Sequence, residues 1–180
     1  NKYERCDFMD IRSYIRNNFK DDDTKAKYLN KLVDEKYKAM IISSFNSIDK
    51  IVLNLDRMNE DYYKTEIIMY LPDDNIKIKC LDKLNVDYYK SKVISTIKSE
   101  GLKESSLDAL GTDTYKIDII SSFHDVLRKK HSLDKLTSDS SKAEIIQGFT
   151  SDSLKESCLD KLSSDKEKSI VITSIKSSVR

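Results

Sequence analysis

The sequence predicts an all-α fold: a right-handed α-solenoid of about seven 26-residue helix–turn–helix repeats, the first of them degenerate. Two observations carry this prediction. The stretch CLDKLNVDYYK at 80–90 returns as CLDKLSSDKEK at 158–168, three periods of 26 residues later. Three glycines, one proline and no tryptophan in 180 residues argue against turn-rich β architectures.

The period is carried by whole columns of residues. A Leu-x-x-Leu pair recurs as Leu29/Leu32, Leu55/Met58, Leu81/Leu84, Leu107/Leu110, Leu133/Leu136 and Leu159/Leu162, after a degenerate Tyr3/Cys6. Two more apolar columns are Ile15, Ile41, Ile67, Val93, Ile119, Ile145, Val171 and Phe19, Phe45, Leu71, Ile97, Phe123, Phe149, Ile175. No insertion breaks the register, which places the units at 1–22, 23–48, 49–74, 75–100, 101–126, 127–152 and 153–178.

Each unit begins with a first helix. Ser99 or Asp125 is a good N-cap residue, and its column continues as Ser or Asp at 21, 47, 73, 151 and 177. About eleven residues follow with apolar side chains three and four apart, as in Ile76, Cys80 and Leu84, so the helix is expected to end after the second leucine.

A second helix follows a three-residue break. In Asn85-Val86-Asp87 the aspartate is expected to cap this helix, whose apolar face then carries Tyr89, Val93, Ile94 and Ile97. Pro72 lies between units, where a helix must stop anyway.

A single 26-residue hairpin buries too little apolar surface to be stable alone, so the units must stack into one repeat domain over residues 1–180. The chain starts inside a first helix and carries no polar capping repeat at either end. We therefore expect a fragment of a longer array, or ends that associate with something else.

The two-helix pattern resembles the helical-hairpin repeat class that includes tetratricopeptide and HEAT repeats, over essentially the whole chain. The 26-residue unit is shorter than in those families, and the W-x-x-L-G signature of tetratricopeptide repeats is missing. The resemblance therefore implies an architecture alone. The Lys- and Asn-rich style is also similar to repeat proteins of large DNA viruses and of protists with AT-rich genomes.

Composition restricts the class of partner. Basic and acidic residues number 32 and 31, so the net charge of +1 gives no general attraction to nucleic acid or to an anionic membrane. No apolar run is long enough to span a bilayer, so no membrane partner is expected. The three scattered cysteines indicate core thiols in a reducing, cytoplasmic compartment.

Two charged columns recur. The first is an aspartate column, expected to be exposed and to alternate with Lys or Arg neighbours; it comprises Asp56, Asp82, Asp108, Asp134 and Asp160, with Asn30 before them. It is interpreted as a solvated surface, or as a docking stripe for a basic partner. The second column is Lys38, Lys64, Lys90, Lys116, Lys142 and Lys168. Its ammonium groups are expected to reach a carboxylate or the last carbonyls of an adjacent helix, with a phosphate-binding ladder as the alternative.

A tyrosine stripe occupies the second helices of the central units, as Tyr37, Tyr63, Tyr89 and Tyr115, flanked by Tyr62 and Tyr88. Rings at the border of a core are ordinary, but exposed rings near lysines are also what single-stranded nucleic acid stacks on. Tyr62 and Tyr88 fall one position further round the helix, so we expect them to be the more exposed.

Catalysis has little support. His124 and His131 stand alone, and no G-x-S-x-G, H-E-x-x-H, Walker or Rossmann pattern occurs. We therefore expect no enzyme activity, no cofactor and no metal site.

The sequence is interpreted as a non-catalytic scaffold for protein–protein interaction, because a repeat array offers a long surface on a locally built fold. The predicted partner-binding residues are the variable columns of the second helix: Lys36, Tyr62, Tyr88, Thr114, Ser140 and Lys166, then Met40, Glu66, Lys92, Asp118, Glu144 and Ile170. Two alternatives stay open, namely reading of single-stranded RNA by the repeats and self-assembly through uncapped ends. If the side chains of Lys64, Lys90 and Lys116 project into solvent, RNA binding is favoured; if they are held within the protein, it is disfavoured.

Overall fold

A computed structural model describes residue 18 and residues 21–176, the last of these by its backbone only. The described residues form twelve α-helices and no strand, so the all-α prediction is confirmed for that part of the chain. They group into two compact units, residues 1–96 and 97–180, which are described separately below.

Between residues 21 and 96, the first compact unit holds three helical hairpins. Its helices are α1 (Asp22–Leu29), α2 (Glu35–Ser43), α3 (Ile48–Asn54), α4 (Asp61–Met69), α5 (Asp74–Lys79) and α6 (Asp87–Ser95). Single 3₁₀ turns, Leu55–Arg57 and Leu81–Lys83, extend α3 and α5. The second helices α2, α4 and α6 pack side by side in chain order, as neighbouring helices do in a helical repeat.

The second compact unit repeats the arrangement. Its helices are α7 (Glu100–Ser106), α8 (Asp113–Ser121), α9 (Val126–Ser132), α10 (Asp139–Gln147), α11 (Asp152–Glu156) and α12 (Asp165–Lys176). The 3₁₀ turns Leu107–Ala109, Leu133–Lys135 and Leu159–Lys161 end the first helices α7, α9 and α11. From Leu55 onward, the first leucine of each pair therefore opens a 3₁₀ turn and the second residue of the pair lies just beyond it, whereas Leu29 is the last residue of α1.

The helices start at a constant interval of 13 residues, from Asp22 to Asp165. Counting the first helical residue as position 1, both kinds of helix place apolar side chains at positions 8 and 11, and the second helices also at position 7. Position 8 is the centre of the core, and the two units bury Leu29, Ile42, Leu55, Ile68, Leu81, Ile94 and Leu107, Ile120, Leu133, Ile146 there. The 26-residue repeat thus consists of two 13-residue halves with one pattern, which the sequence reading missed.

The caps of the first helices are confirmed. Asp21, Ser47, Asp73, Ser99, Asp125 and Ser151 each accept a backbone N–H from the first turn of the helix that follows. The predicted cap of the second helix is wrong. Asp87 is the first residue inside α6, and the N-cap is Val86, whose side chain accepts nothing. An aspartate at position 1 is stabilised by the N-terminal dipole without capping its own helix.

None of the described helices is both long and apolar enough to cross a membrane. Cys80 and Cys158 are buried free thiols at position 7 of their helices, while Cys6 lies outside the described residues.

Candidate partner-binding face

In α1, α2, α4, α7, α8 and α10, the acidic residue at position 1 accepts hydrogen bonds from the loop before the next helix of the same kind. In α4, the Asp61 carboxylate accepts the backbone N–H groups of Asn85 and Val86, 24 and 25 residues later, at 2.7 and 2.8 Å. In α8, Asp113 accepts those of Thr137 and Ser138 at 2.9–3.0 Å. Each carboxylate thus satisfies donors in the loop before the neighbouring helix, which would otherwise face the core edge unpaired.

First helices use the same contact. Asp22 accepts the N–H groups of Asn46 and Ser47 at 3.0 Å, and Glu100 accepts that of His124 at 2.6 Å. The backbone N–H and ring of His124 lower the pKa of Glu100 to about 2. The carboxylates are therefore ionised acceptors at neutral pH.

The lysine at position 4 completes the link. Lys64 Nζ donates to the Lys83 carbonyl at 3.0 Å, and Lys116 Nζ donates to the Lys135 carbonyl at 2.9 Å, both 19 residues later. These carbonyls end the 3₁₀ turn of the next first helix, where unpaired carbonyls accumulate. Lys64 is only 7% exposed. The expected structural role of the lysine column is confirmed for these two residues and for Lys142, which reaches the Lys161 carbonyl at 3.4 Å.

We call this pair, the position-1 acid and the position-4 lysine of one helix, the repeat clamp. All described helices except α3 and α9 carry both residues. Where the clamp is formed, as at α4 and α8, its acid and lysine are held by contacts within the protein rather than left available to a ligand.

The aspartate column lies on the outside, as predicted. Asp56, Asp108 and Asp134 are exposed and receive Lys83, Lys135 and Lys161 from the next repeat at 2.5–2.7 Å. Exposed pairs of this kind contribute about 0–1 kcal/mol each. At these three positions the carboxylates therefore already have cationic partners.

The variable columns of the second helices carry the exposed aromatic side chains. In the first unit, Tyr62 of α4 is 50% exposed and Tyr88 of α6 is 44% exposed, both at position 2. Each ring is braced edge-on by the tyrosine that follows it, with ring centroids 5.0 Å apart for Tyr62–Tyr63 and 5.2 Å for Tyr88–Tyr89. Such contacts add about 0.5–1.5 kcal/mol and fix the ring orientation.

Tyr37 of α2 is also exposed, although it occupies the same repeat position as Tyr63 and Tyr89, which are half-buried. The residue before Tyr37 is Lys36 rather than a tyrosine, but Tyr115 follows Thr114 and is only partly exposed, so the sequence gives no signal for the exposure of Tyr37. We call Tyr37, Tyr62 and Tyr88 the tyrosine face.

Charged side chains surround the tyrosine face. Lys92 of α6 lies over the Tyr88 ring, with Nζ 5.3 Å from the ring centroid, a cation–π contact worth about 0.5–1 kcal/mol. Lys36 and Glu66 are partly exposed on α2 and α4. The face therefore combines flat apolar rings, phenolic hydroxyl groups and charges of both signs.

The prediction that Met40 contacts a partner is incompatible with its burial. Met40 lies in the same variable column as Glu66 and Lys92, but its side chain is 1% exposed and belongs to the core of the first unit. A flexible thioether gains by packing against apolar neighbours, whereas the charged residues of the column remain hydrated. Met40 therefore cannot contact a partner on this face.

In the second unit the variable columns are polar. Thr114, Ser140, Lys166, Asp118 and Glu144 are all exposed, and Ile170 is partly exposed. This unit thus offers an acidic second-helix surface with no exposed ring at position 2.

Reactive groups are scarce in the described part of the chain. Burial raises the pKa of the Cys80 thiol to about 11, so it is protonated at neutral pH. His124 projects into solvent against Glu100, with Nδ1 2.9 Å from the carboxylate. Among the residues that the structure describes, no three His, Cys, Asp or Glu side chains gather as a metal site.

No protein-family model, no curated protein and no solved structure matches this chain.

Proposed function

We propose that this protein is a non-catalytic scaffold that binds a protein or peptide partner on the exposed side of its second helices, with the tyrosine face as the main contact. The observation that supports it is the pair of edge-braced, half-exposed rings of Tyr62 and Tyr88 on adjacent helices. Tyrosines held in one orientation bind with little loss of side-chain entropy, and they are enriched at protein interfaces.

The recurrent columns make contacts within the protein whereas the variable columns are mostly exposed, and this difference supports the same proposal. The invariant acid and lysine are occupied in repeat clamps, whereas positions 2 and 6 of the second helices vary in chemistry and are mostly exposed. A surface that varies from repeat to repeat on an invariant frame is suited to specific recognition.

The proposal includes the right-handed α-solenoid of about seven repeats over residues 1–180, which stays a prediction. It also includes a cytoplasmic location, which is supported by the two buried free thiols Cys80 and Cys158.

The test is a random peptide library displayed against the protein, followed by affinity measurement for the selected peptides. Tyr62→Ala/Tyr88→Ala should weaken their binding at least about tenfold, equivalent to about 1.4 kcal/mol. The matched control is Tyr70→Ala, which removes an exposed ring at the other end of α4 and should leave affinity unchanged. Equal binding by the double variant and the original protein would refute the tyrosine face as the binding surface.

Single-stranded RNA is the second candidate, favoured by the position of the Lys92 ammonium over the exposed Tyr88 ring. The burial of Lys64 and Lys116 against carbonyl oxygens speaks against it, because the lysine ladder is then unavailable to phosphates. Fluorescence anisotropy with a labelled random single-stranded RNA, at low and then higher salt, decides between the two. Binding that weakens steeply with salt and is lost in Tyr62→Ala/Tyr88→Ala would make RNA the partner.

A further inference from the structure

The outer face of α12 exposes the residues that the other second helices of its unit bury. Its position-1 Asp165 has a fully exposed side chain (100%), and its position-8 Ile172 is 38% exposed. In α10 the corresponding Asp139 and Ile146 are 18% and 0% exposed. The same columns therefore have two environments within one compact unit.

In α10 these residues are covered by the loop that contains Ser163 and Ser164 and by α12. Asp139 accepts the backbone N–H groups of Ser163 and Ser164 at 2.7 and 2.6 Å, Lys142 reaches the Lys161 carbonyl, and α12 itself packs against α10. In α12, by contrast, Lys168 makes only a 3.9 Å ion pair with Asp165 of its own helix. Leu159 of the preceding 3₁₀ turn is also less buried than its counterparts Leu107 and Leu133.

We propose that the outer face of α12 is a docking face for a further helical repeat of this 26-residue pattern. The occupant is defined by the interface it would continue: two consecutive backbone N–H groups for Asp165, a carbonyl oxygen for Lys168 and an apolar ridge over Ile172. A partner that lacks this set cannot satisfy the exposed carboxylate and ammonium when it covers them.

The proposal is independent of the tyrosine face. It concerns the lateral face through which repeats stack in the second compact unit, whereas the tyrosine face belongs to the first compact unit and uses other helix positions. A substitution that disrupts the docking face of α12 should therefore leave binding at the tyrosine face unchanged, and a substitution in the tyrosine face should leave docking on α12 unchanged.

The experiment extends the protein in register, by continuing the chain after Lys176 with a copy of residues 151–176. The extended protein should melt at a higher temperature. Asp165→Asn should then lower its melting temperature by about 2–4 °C, the shift that about 1 kcal/mol produces in a chain of this size. In the original protein Asp165→Asn should lower the melting temperature by less, because the exposed carboxylate there loses only its interactions with the helix N-terminus and with Lys168.

Asp139→Asn is the matched control, since it makes the same chemical change at the same helix position. It should lower the melting temperature in both the original and the extended protein, because Asp139 already accepts two N–H groups. The proposal is overturned if the extension gives no increase in melting temperature, or if Asp165→Asn lowers the melting temperature no more in the extended protein than in the original one.

Sedimentation of the original protein tests a competing occupant. Under the proposal it stays at one mass over a wide concentration range, and Ile172→Asp does not change that mass. A dimer that dissociates on dilution and is abolished by Ile172→Asp would show that α12 pairs with its own copy, which overturns the proposal.

Discussion

The repeat clamp depends on single carboxylates at the edge of the core. Asp61 is buried, a costly place for an ionised group unless hydrogen bonds replace its lost hydration. Its two short bonds to the N–H groups of Asn85 and Val86 supply that compensation and hold the next second helix at its first turn. One side chain thus satisfies two backbone donors that no helix of their own can satisfy.

Asp61→Asn should destabilise the protein by about 1.5–3 kcal/mol, the range for hydrogen bonds to a charged group. The amide keeps the shape but loses the charge, so the two N–H groups, which share one carboxylate oxygen, keep only a neutral acceptor; the other oxygen, which accepts Asn85 Nδ2 at 3.3 Å, is replaced by a donor. Urea unfolding measures the effect. Asp56→Asn is the control, since its carboxylate is exposed and pairs only with Lys83, and it should cost under about 1 kcal/mol. Equal costs at the two sites would contradict the clamp.

Acid should also weaken the clamps. Burial alone would raise the pKa of Asp113, but the N–H groups of Ser138 and Thr137 outweigh burial and hold it below its usual value of 3.8. The pKa of Glu100 is lowered from 4.5 to about 2 by the backbone and ring of His124. A lowered folded-state pKa contributes stability above the unfolded-state pKa, and that stability is lost as the pH falls through the folded-state pKa.

The free energy of unfolding should therefore be nearly constant down to about pH 4.5 and fall between there and about pH 2. Urea unfolding at a series of pH values measures this, and Asp113→Asn should show a shallower fall than the original protein. A stability that does not change over this window would refute the assigned role of the carboxylates.

At the scale of the element, α3 and α9 are informative because they lack the position-1 acid. Ile48 stands at position 1 of α3, and the residue 24 positions later is Pro72, which has no N–H to donate. The acceptor and one of its two donors are thus missing together, while the second donor, the N–H of Asp73, is still present. Val126 stands at position 1 of α9, but its counterparts Thr150 and Ser151 both carry N–H groups.

Val126→Asp should therefore stabilise the protein by about 1 kcal/mol, since it restores a carboxylate opposite two N–H groups and at a helix N-terminus. The valine is exposed, so little apolar burial is lost. Ile48→Asp is the matched control and should destabilise, because Pro72 offers no donor and the isoleucine is partly buried. Thermal and urea unfolding of both variants measure the effect; a destabilising Val126→Asp would contradict the clamp at α9.

At the scale of the whole molecule, the sequence predicted the helical repeat, the caps of the first helices and the structural role of the lysines, because each follows from local pattern and helix phase. It did not show where the position-1 acids bind. An aspartate before an apolar run suits either an N-cap or the first helical residue, and the donors that choose between them, such as Asn85 for Asp61, lie 24 residues away.

The candidate site was predictable to a similar extent. Helix phase alone indicated that Tyr62 and Tyr88 are exposed, whereas the burial of Met40 depends on what packs around α2, which its column does not show. The 13-residue half-repeat escaped notice because the two helices of a hairpin share a pattern of residue classes rather than a sequence.

The central claim is that the recurrent charges are occupied in clamps between repeats, leaving the variable positions to bind. Hydrogen exchange of the backbone amides tests it most directly. The loop amides of Asn85, Val86, Thr137 and Ser138 should be protected to nearly the level of helix amides, because a carboxylate accepts each of them. The amides of Asp73, Thr150 and Ser151 occupy the same loop positions after Ile48 and Val126, which offer no acceptor, and should exchange quickly. Equal, fast exchange in both groups would contradict the account.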